Sequence, residues 1–408
     1  EGISTRVGNQ QMRVLVSIFE QLVPISGGGT PRISSIIDVL IKRGHEVSVA
    51  ASFATDATEA LQTLKCNKIL PLNNVSRLDK NKMRKYLLFH PFNIFKVVQE
   101  IMKSKPDLII AHNAIAGLAS LLGKKTTKSL AVLDMTDLIF QYLSSYEHAW
   151  TPQVQRIGEK VEDRVIKESD KIITISQTMK RAIVTKGAKS ENVNVVYDGV
   201  KTDVFKPRVK EAAMLRQKYA EGVENIVMHH GVIDPQDHPE IIVDAAADVA
   251  KEHPSTMFWL IGNGTAIPSM KEKIIRKGLK EHFFFSGWTP FEAVPSFISA
   301  SDVGLVILPD ISSARIRVTL KGFEYWACEK PIVVSDLPAL REVVEPGKTG
   351  LFYKPGSPRN LAEKICALLE DRKLSRRMGR AGRALVEREY SWDKLATQFV
   401  ARCENMLY

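Results

Sequence analysis

Residues 319–338 read TLKGFEYWACEKPIVVSDLP and join a predicted helix to a predicted strand. The apolar run VGLVILPD at 303–310 precedes them as another buried strand. The order is therefore strand, loop, helix, strand, which is typical of a parallel α/β sheet. In such a sheet the helix N-terminus faces the carboxyl ends of the strands, where free N–H groups and the helix dipole favour negative charge. The segment predicts an α/β fold with a site for a phosphate-bearing ligand.

Two charged residues lie in the first turn of this helix. Lys321 and Glu324 are three residues apart and therefore share one face of the helix. Lys321 can bind phosphate, and Glu324 can accept hydrogen bonds from ribose hydroxyls. An exposed ion pair, worth roughly a few tenths of a kcal/mol, is the alternative interpretation. The spacing alone leaves both open.

Two arginines, Arg315 and Arg317, precede Lys321 in the same predicted loop. Three cations in so short a stretch beside a helix N-terminus are more than a solvated surface usually needs. We therefore predict that these arginines bind an anion, either a phosphate or a carboxylate.

The net charge of +11 is the unusual bulk property of the chain. A positive balance favours an anionic partner, such as nucleotide phosphates, an acidic membrane surface or nucleic acid. Aromatic residues make up only 7% of the chain, and the sequence has neither a zinc-finger spacing nor an aromatic RNA-binding pattern. We therefore predict that nucleic acid is not a partner.

Length and composition indicate a soluble protein of two or three domains. The chain has 408 residues, of which 44% are apolar and 25% charged, and these are ordinary values for globular proteins. It has no run of ~20 apolar residues that would span a bilayer, and residues 1–11 lack the apolar stretch of a signal peptide. Its four cysteines are scattered without metal-ligand spacing. We expect reduced thiols and a cytoplasmic location.

Strand and helix patterns alternate along the chain. One series runs from MRVLVSI at 12–18 to NVNVVYDG at 192–199, and a second begins with NIVMHHGV at 225–232. This alternation predicts doubly wound parallel sheets. The polar and basic residues 200–222 predict a linker. We therefore predict two Rossmann-like domains facing across a cleft, residues 1–200 and 201–390, followed by an amphipathic C-terminal helix in 391–408.

Glycines and polar residues follow several strands of the first series. Gly27, Gly28 and Gly29 come after the first strand, where glycine lets backbone N–H groups approach a phosphate or sugar closely. A plain flexible turn is the alternative. Asp134 and Asp137 end a later strand, where a carboxylate can contact a ligand hydroxyl or act as a base, or else cap a helix. His112 ends the strand before it and is either a cleft residue or a structural histidine.

The strands of the second series end in a similar way. His229, His230 and Gly231 follow one strand, and Gly262 follows the next. Adjacent histidines on a strand point to opposite faces, so we predict no metal site here. Trp288, after a third strand, offers an aromatic face to a nucleotide base or packs in the core.

Residues 77–105, RLDKNKMRKYLLFHPFNIFKVVQEIMKSK, interleave basic with apolar and aromatic residues. Such a stretch can lie in a bilayer interface with its cations on anionic headgroups. The alternative is an ordinary helical insertion whose apolar side faces its domain. The apolar residues cluster around Pro91, which is predicted to break the helix, and we therefore favour the membrane interpretation.

Several longer motifs resemble one enzyme family. LIGNG, FSGW, ASDVGLVILP, LKGFEYWACEKPIVVSDLPALREVV and a final REYSW follow one another in family order, and RGHEVSV lies near the start. These motifs resemble the family-4 retaining glycosyltransferases of the GT-B fold, over nearly the whole chain. The resemblance implies two Rossmann-like domains with the last helix crossing back onto the first domain.

The resemblance implies roles for residues of the cleft. Glu324 would bind the ribose of a nucleotide-sugar donor. Lys321 and the backbone around Leu320 would meet the diphosphate, while Gly28 and Gly29 would approach it from the opposite domain. The other predicted donor-binding residues are His230, Gly231, Gly262, Trp288, Arg315, Arg317 and Thr319, and His112 and Asp137 are predicted on the acceptor side.

The sequence departs from the family pattern in two places. The family motif has a first Glu where Ile316 stands, eight positions before Glu324. Many members also carry an Arg at the position of Val232 and a Lys near His238. We predict that Arg315 and Arg317 supply the missing positive charge.

The sequence therefore predicts a retaining glycosyltransferase that moves a hexose or uronate from a nucleotide-diphosphate sugar, with a UDP-sugar as first choice, to a hydroxyl of a lipid or lipid-linked glycan. We predict no metal and no cofactor, because cations and the helix dipole can neutralise the leaving diphosphate. Asp134 is predicted to contact sugar or acceptor hydroxyls. The alternatives are an epimerase or hydrolase of the same fold, and an inactive relative that binds a nucleotide or lipid.

Overall fold

Two parallel β-sheets form the framework of the protein. A computed structural model describes residues 11–24, 28–53, 56–73, 82–138, 140 and 152–406, with only the backbone for 82–89. Gly27, residues 77–81 and the side chains of 82–89 lie outside the described part. Predictions that involve these residues and side chains stay predictions.

Seven strands of the described residues form the first sheet. All of its neighbouring strands are parallel, and the central strands are mostly buried apolar runs because both faces of the sheet are covered. The strands are β1 (Arg13–Val23), β2 (Glu46–Phe53), β3 (Lys68–Pro71), β4 (Leu108–His112), β5 (Leu130–Met135), β6 (Lys171–Thr174) and β7 (Val193–Val195). Their order is β3-β2-β1-β4-β5-β6-β7. The order reverses between β1 and β4, and ligands bind beyond the carboxyl ends of strands at such a point.

Helical crossovers connect these parallel strands and cover the sheet. The helices of this half are α1 (Thr30–Lys42), α2 (Ala57–Leu64), α3 (Lys82–Ser104), α4 (Asn113–Lys124), α5 (Pro152–Glu168) and α6 (Gln177–Thr185). Helix α3 continues through Pro91, so the predicted break at this proline is wrong. A helix can continue through a proline because the proline removes only one backbone hydrogen-bond donor.

Six further strands of the described residues form the second sheet. They are β8 (Asn225–His230), β9 (Thr256–Ile261), β10 (Phe283–Gly287), β11 (Val303–Val306), β12 (Ile332–Ser335) and β13 (Gly350–Tyr353). The order is β10-β9-β8-β11-β12-β13 with parallel pairing throughout. The switch point lies between β8 and β11. The predicted fold class, two Rossmann-like parallel sheets, is confirmed.

The second half contains four helices that the sequence did not predict. The helices of this half are α7 (Val209–Tyr219), α8 (Glu240–Glu252), α9 (Ile267–Arg276), α10 (Val294–Ala300), α11 (Ser312–Arg315), α12 (Leu320–Ala327), α13 (Pro358–Glu370), α14 (Arg372–Glu389) and α15 (Trp392–Glu404). The four that were not predicted are α7, α10, α11 and α14. Helix α7 lies in the stretch predicted as a linker, and α14 is rich in arginine. Charged residues interrupt the apolar residues of both helices, which hides their short apolar faces.

A carboxylate of the second half joins the two halves. Glu342 accepts hydrogen bonds from the backbone N–H groups of Gln177, at 2.7 Å, and Thr178, at 2.6 Å. These are the first two residues of α6, whose dipole favours a negative charge. Tyr197 donates its hydroxyl to the same carboxylate at 3.0 Å. Glu342 therefore acts as a cap for α6 from the opposite half.

The last helix, α15, packs on the first half. The guanidinium of Arg32 in α1 lies 5.5 Å from the ring centre of Phe399, and Glu404 pairs with Arg43 and with His45. The first sheet ends at Val195 and the second begins at Asn225. The proposed limits at residues 200 and 390 stay predictions.

Candidate active site

The glycine turn after β1 lies against the end of β4. A Cβ atom on Gly29 would come within 2.5 Å of the Nε2 atom of His112. Only glycine therefore lets α1 begin so close to this histidine, and Gly28 before it has a positive φ of 71°. The structure places the predicted residues Gly28, Gly29 and His112 side by side.

A buried charge network supports His112 from behind. Its Nδ1 atom lies 2.8 Å from Oδ2 of Asp134, and Arg32 reaches the same carboxylate with Nε at 2.9 Å and Nη2 at 2.8 Å. Arg32 also pairs with Asp198 at 3.2 Å. Arg32 and Asp134 are both fully buried, so the network is an internal cluster of two carboxylates, one guanidinium and one imidazole.

The position of Asp134 corrects a prediction. Its carboxylate is inaccessible to solvent and is occupied by Arg32 and His112, so it does not contact sugar or acceptor hydroxyls. Burial raises the pKa of Asp134, but the charge of Arg32 and the hydrogen bond with His112 outweigh it and hold the pKa below the ordinary value. Burial lowers the pKa of His112, and the hydrogen bond and charge of Asp134 reverse this and raise it. Asp134 therefore positions His112 and favours its protonated form.

Asp137 faces the space between the two halves. Its side chain is half-buried, and desolvation raises the pKa of its carboxyl group, with Arg317 opposing this shift. Asn113 accepts a hydrogen bond from the backbone N–H of Asp137 at 3.3 Å. Because Arg317 and Asp237 of the second half both act on this carboxyl, Asp137 lies in the cleft. Its assignment to the acceptor side stays a prediction.

Lys321 lies beside the glycine that follows β8. Gly231 has a φ of 102°, and a Cβ atom there would be 3.3 Å from Cε of Lys321 and 3.7 Å from its Nζ. A side chain at this position would therefore be both strained and crowded by the lysine. Burial lowers the pKa of Lys321, while Asp237 opposes the shift and Arg317 adds to it.

Glu324 is buried, with 8% of its surface exposed. The alternative interpretation of Lys321 and Glu324 as a solvent-exposed ion pair is therefore wrong. The Oε2 atom of Glu324 lies 3.5 Å from Nε2 of His230. Burial lowers the pKa of His230 well below its ordinary value, and Lys321 adds to this shift. Both effects favour the neutral form of the imidazole.

Burial also raises the pKa of Glu324 to about 7, against the opposing charge of Lys321. Between the ordinary carboxyl pKa and pH 7 the folded state holds a proton that the unfolded state has lost, so stability falls as pH rises through this interval. We expect Glu324→Gln to remove this slope and to stabilise the protein at pH 8 by about 1–3 kcal/mol. Urea unfolding at several pH values between 5 and 8 measures it. The exposed Glu363→Gln is the control, and equal slopes in Glu324→Gln and the unmodified protein would contradict the prediction.

The two predicted arginines have different surroundings. Arg315 is exposed, and its guanidinium contacts both carboxylate oxygens of Asp310, at 2.5 and 3.0 Å. Its charge is therefore paired with Asp310 at the surface. Arg317 is mostly buried and lies 3.3 Å from Asp237, and it acts electrostatically on Lys321. The predicted group of three cations is therefore reduced to Arg317 and Lys321.

The N-terminus of α12 carries no acidic cap. Thr319 is the N-cap residue, but its side chain makes no capping hydrogen bond, and the first turn has no Asp or Glu. Glu324 lies just beyond this turn, so its predicted place in the first turn is wrong. The Thr319 hydroxyl is buried and without a hydrogen bond within the described structure. The N–H groups that begin at Leu320 are therefore not occupied by a carboxylate.

Gly262 and Trp288 follow the neighbouring strands β9 and β10. The backbone N–H of Gly262 donates to the Ser286 hydroxyl at 3.1 Å, which ties the two strand ends together. Trp288 is 75% exposed, so the interpretation as a packed core residue is wrong. Its predicted contact with a nucleotide base stays a prediction.

The sequence analysis missed Arg32, Asp198 and Glu342. Arg32 carries a usable signal, because it shares a helix face with Ile36 and Leu40 in α1, and a charged residue on an apolar face needs a buried partner. Asp198 and Glu342 carry no local signal, since their partners lie far away in the sequence.

Two family models match the chain and cover most of it. Glycosyltransferase Family 4 matches residues 26–204, and Glycosyl transferases group 1 matches residues 212–385. The chain belongs to the family-4 glycosyltransferases. The predicted family is thereby confirmed, and the two models meet in the stretch between the two sheets.

Among its relatives, this glycosyltransferase is similar to an uncharacterized glycosyltransferase of Methanocaldococcus jannaschii, with 26% identity over 79% of this chain and 81% of that protein. It also matches the alpha-D-kanosaminyltransferase of Streptomyces kanamyceticus, with 29% identity over 47% of this chain and 48% of the relative.

Solved structures share the fold of this glycosyltransferase. The sucrose-phosphate synthase of Thermosynechococcus elongatus superposes with a TM-score of 0.80 at 18% identity, over 97% of this chain and 99% of that chain. HepE of Anabaena, in complex with UDP-glucose, superposes with a TM-score of 0.75 at 19% identity, over 97% and 100%.

Proposed function

We propose that this glycosyltransferase transfers a sugar from a UDP-sugar, with retention of configuration, to a hydroxyl of a lipid or lipid-linked glycan. The observation that carries the proposal is the arrangement of residues at the carboxyl edge of the second sheet. Lys321 lies there beside Gly231, at the N-terminus of a helix without an acidic cap, and Glu324 lies one turn further on. This combination suits a diphosphate next to a ribose.

In the proposed reaction the diphosphate of the donor binds at the N-terminus of α12. The bond between the anomeric carbon and the diphosphate oxygen breaks, and a bond from the acceptor oxygen to the same face of that carbon forms. The acceptor proton passes to the departing diphosphate. Lys321 and the N–H groups of α12 stabilise the charge that develops on this leaving group.

The protein residues on the opposite side of the cleft position the sugar. His112, which Asp134 and Arg32 hold in place, presents its Nε2 atom at the Gly29 turn. An imidazole there suits a sugar hydroxyl or a phosphate oxygen. Neutralisation by Lys321, Arg317 and the helix dipole is the basis for proposing transfer without a metal ion.

The choice of uridine as the base rests on similar proteins. HepE binds UDP and UDP-glucose, whereas two mycobacterial relatives are GDP-mannose-dependent mannosyltransferases, with 23% identity over 59% of this chain. The base is therefore the first property to measure.

A thermal-shift screen tests the proposed function. UDP, GDP, ADP and their hexose and uronate conjugates are added at one common high concentration, and a ligand that reaches 100 times its dissociation constant stabilises the native state by about 2.7 kcal/mol. We expect UDP and one UDP-sugar to raise Tm by a few degrees, the sugar conjugate more than UDP. A shift with none of the nucleotides would contradict the transferase proposal and favour the inactive relative.

Helix α3 supports the proposed contact with an anionic membrane surface. Its residues Phe92, Phe95 and Met102 recur at helical spacing and are exposed, and Lys96 and Lys103 flank them. An apolar ridge with lysines beside it is the pattern of an interfacial helix. No helix in the described parts of the chain is long and apolar enough to cross a bilayer. We propose peripheral binding at the cytoplasmic face, with a lipid acceptor within reach.

Vesicle sedimentation checks this contact. We expect binding to vesicles that contain anionic lipid and a roughly tenfold loss of binding in Phe92→Ser/Phe95→Ser, because two exposed aromatic side chains leave the interface. Met214→Ser, which changes an equally exposed apolar residue of α7, is the control and should bind normally. Equal sedimentation with neutral and anionic vesicles would contradict the proposal.

A further inference from the structure

A second cluster of reactive side chains lies away from the cleft, at the far ends of α8 and α13. Glu252 is the last residue of α8 and His253 follows it directly. Cys366 and Glu370 are one turn apart in α13 and share a face of that helix. Both helices follow loops at the carboxyl ends of their strands, so their C-terminal ends lie at the opposite edge of the second sheet.

The four side chains converge. Ligand atoms of Glu252, His253 and Cys366 all lie within 4.8 Å of one another, and Oε1 of Glu370 lies 3.7 Å from Nε2 of His253. That Nε2 atom is buried and makes no hydrogen bond in the described structure. A buried ring nitrogen without a hydrogen bond is costly, and the imidazole of His253 lies beside one thiol and two carboxylates.

The charge of the cluster is unbalanced. Cys366 is buried, and its thiol lies within 4.8 Å of a carboxylate oxygen of Glu252. The two carboxylates of Glu252 and Glu370 thus face a thiol and an imidazole. A bound cation would balance these carboxylates and occupy the free ring nitrogen at once.

We propose that Glu252, His253, Cys366 and Glu370 form a binding site for a thiophilic divalent metal ion of the Zn²⁺ type. The donor set of one sulfur, one nitrogen and two carboxylate oxygens suits Zn²⁺ or Co²⁺, whereas Mg²⁺ and Ca²⁺ prefer oxygen ligands alone. Zinc–ligand bonds of about 2.0–2.3 Å put ligand atoms roughly 3.3–3.8 Å apart, so the side chains need to move by only about 1 Å. Binding releases the proton of the Cys366 thiol to solvent.

The site would clamp two neighbouring helices of the second half. Helices α8 and α13 pack against each other, and a metal bound to residues of both adds a link that the unfolded chain lacks. Because the cluster lies at the edge of the sheet opposite to Lys321 and Gly231, the proposed role is stability and not the transfer reaction. The sequence gives no signal for it, since the ligands come from two helices that are far apart along the chain.

Metal binding to the full chain, stripped with a chelator and kept reduced, tests the proposal. We expect one equivalent of Zn²⁺ to bind and to raise Tm by a few degrees. One equivalent of Co²⁺ should give the thiolate-to-cobalt charge-transfer band in the near ultraviolet. The affinity should fall as pH is lowered, because the thiol must lose its proton.

Variants separate the proposed site from adventitious binding. Cys366→Ser should abolish the cobalt–thiolate band, and Glu370→Gln should weaken Zn²⁺ binding by about tenfold. The Glu370 side chain is 63% exposed, so this change leaves folding intact. Cys66→Ser, which alters a thiol of the first half, is the control and should keep the band. Absence of a thiolate band in the unmodified protein, or a band that survives in Cys366→Ser, would overturn the proposal.

Discussion

Lys321→Ala is expected to lower the rate of sugar transfer by about 10²–10³-fold, the cost of removing a preorganised group that stabilises developing negative charge. The lysine amine lies at the N-terminus of α12, where the leaving diphosphate is proposed to bind, and a Cβ atom on Gly231 would be 3.7 Å from it. A cation that is already desolvated interacts more strongly with a phosphate than one in water. The measurement is kcat at saturating donor, with the donor identified in the nucleotide screen.

The same substitution has an opposite effect on stability. Burial lowers the pKa of Lys321, which means that the folded state disfavours the charged form, so the charged amine reduces stability at neutral pH. Lys321→Ala should therefore keep or raise Tm while it removes activity. Lys348→Ala, at an exposed lysine paired with Glu345, is the control and should change neither. A fall in kcat of less than tenfold would contradict the role of Lys321 in neutralising the leaving group.

The neighbours of Lys321 can be predicted from the sequence, because each strand, loop and helix that forms this edge of the sheet is continuous along the chain. A strand, a loop and a helix in this order always bring the helix N-terminus to the carboxyl edge of the sheet. Gly231, Gly262 and Trp288 end strands of the same sheet, so they meet at that edge without any long-range information. The apolar runs that mark these strands are unambiguous, since parallel strands are buried on both faces.

The sequence does not predict which strand-end residues are reachable by a ligand. Asp134 and Asp137 are three positions apart and look equivalent in the sequence. Their difference arises from Arg32, in another helix, whose buried guanidinium pairs with Asp134 and not with Asp137. Ile316, which stands at the position of the family's first Glu, is a second example. Its side chain is buried in an apolar cluster with residues of the first half, and the sequence does not predict this contact. Such partners are defined only by the folded chain.

Asp134→Asn is expected to destabilise the protein by about 3–5 kcal/mol, the range for removing one partner of a buried ion pair. The guanidinium of Arg32, fully buried, would lose its closest carboxylate and keep only Asp198 at 3.2 Å. The pKa of Asp134 lies below its ordinary value, so its contribution is complete above the unfolded-state pKa and is lost as pH falls through the folded-state pKa. Urea unfolding at pH 7 therefore measures the full effect.

Asp137→Asn is the matched control, because it is expected to keep or raise the free energy of unfolding, whereas Asp134→Asn lowers it. Burial raises the pKa of Asp137, so its ionised form costs stability at pH 7, and a neutral amide should be harmless or stabilising. The double variant Arg32→Met/Asp134→Asn should recover part of the loss of the single variant, since no unpaired buried charge remains. If Asp134→Asn and Asp137→Asn unfold at the same urea concentration, then Asp134 is not held by Arg32, and its carboxylate becomes available again for the substrate contact that its position in the sequence suggests.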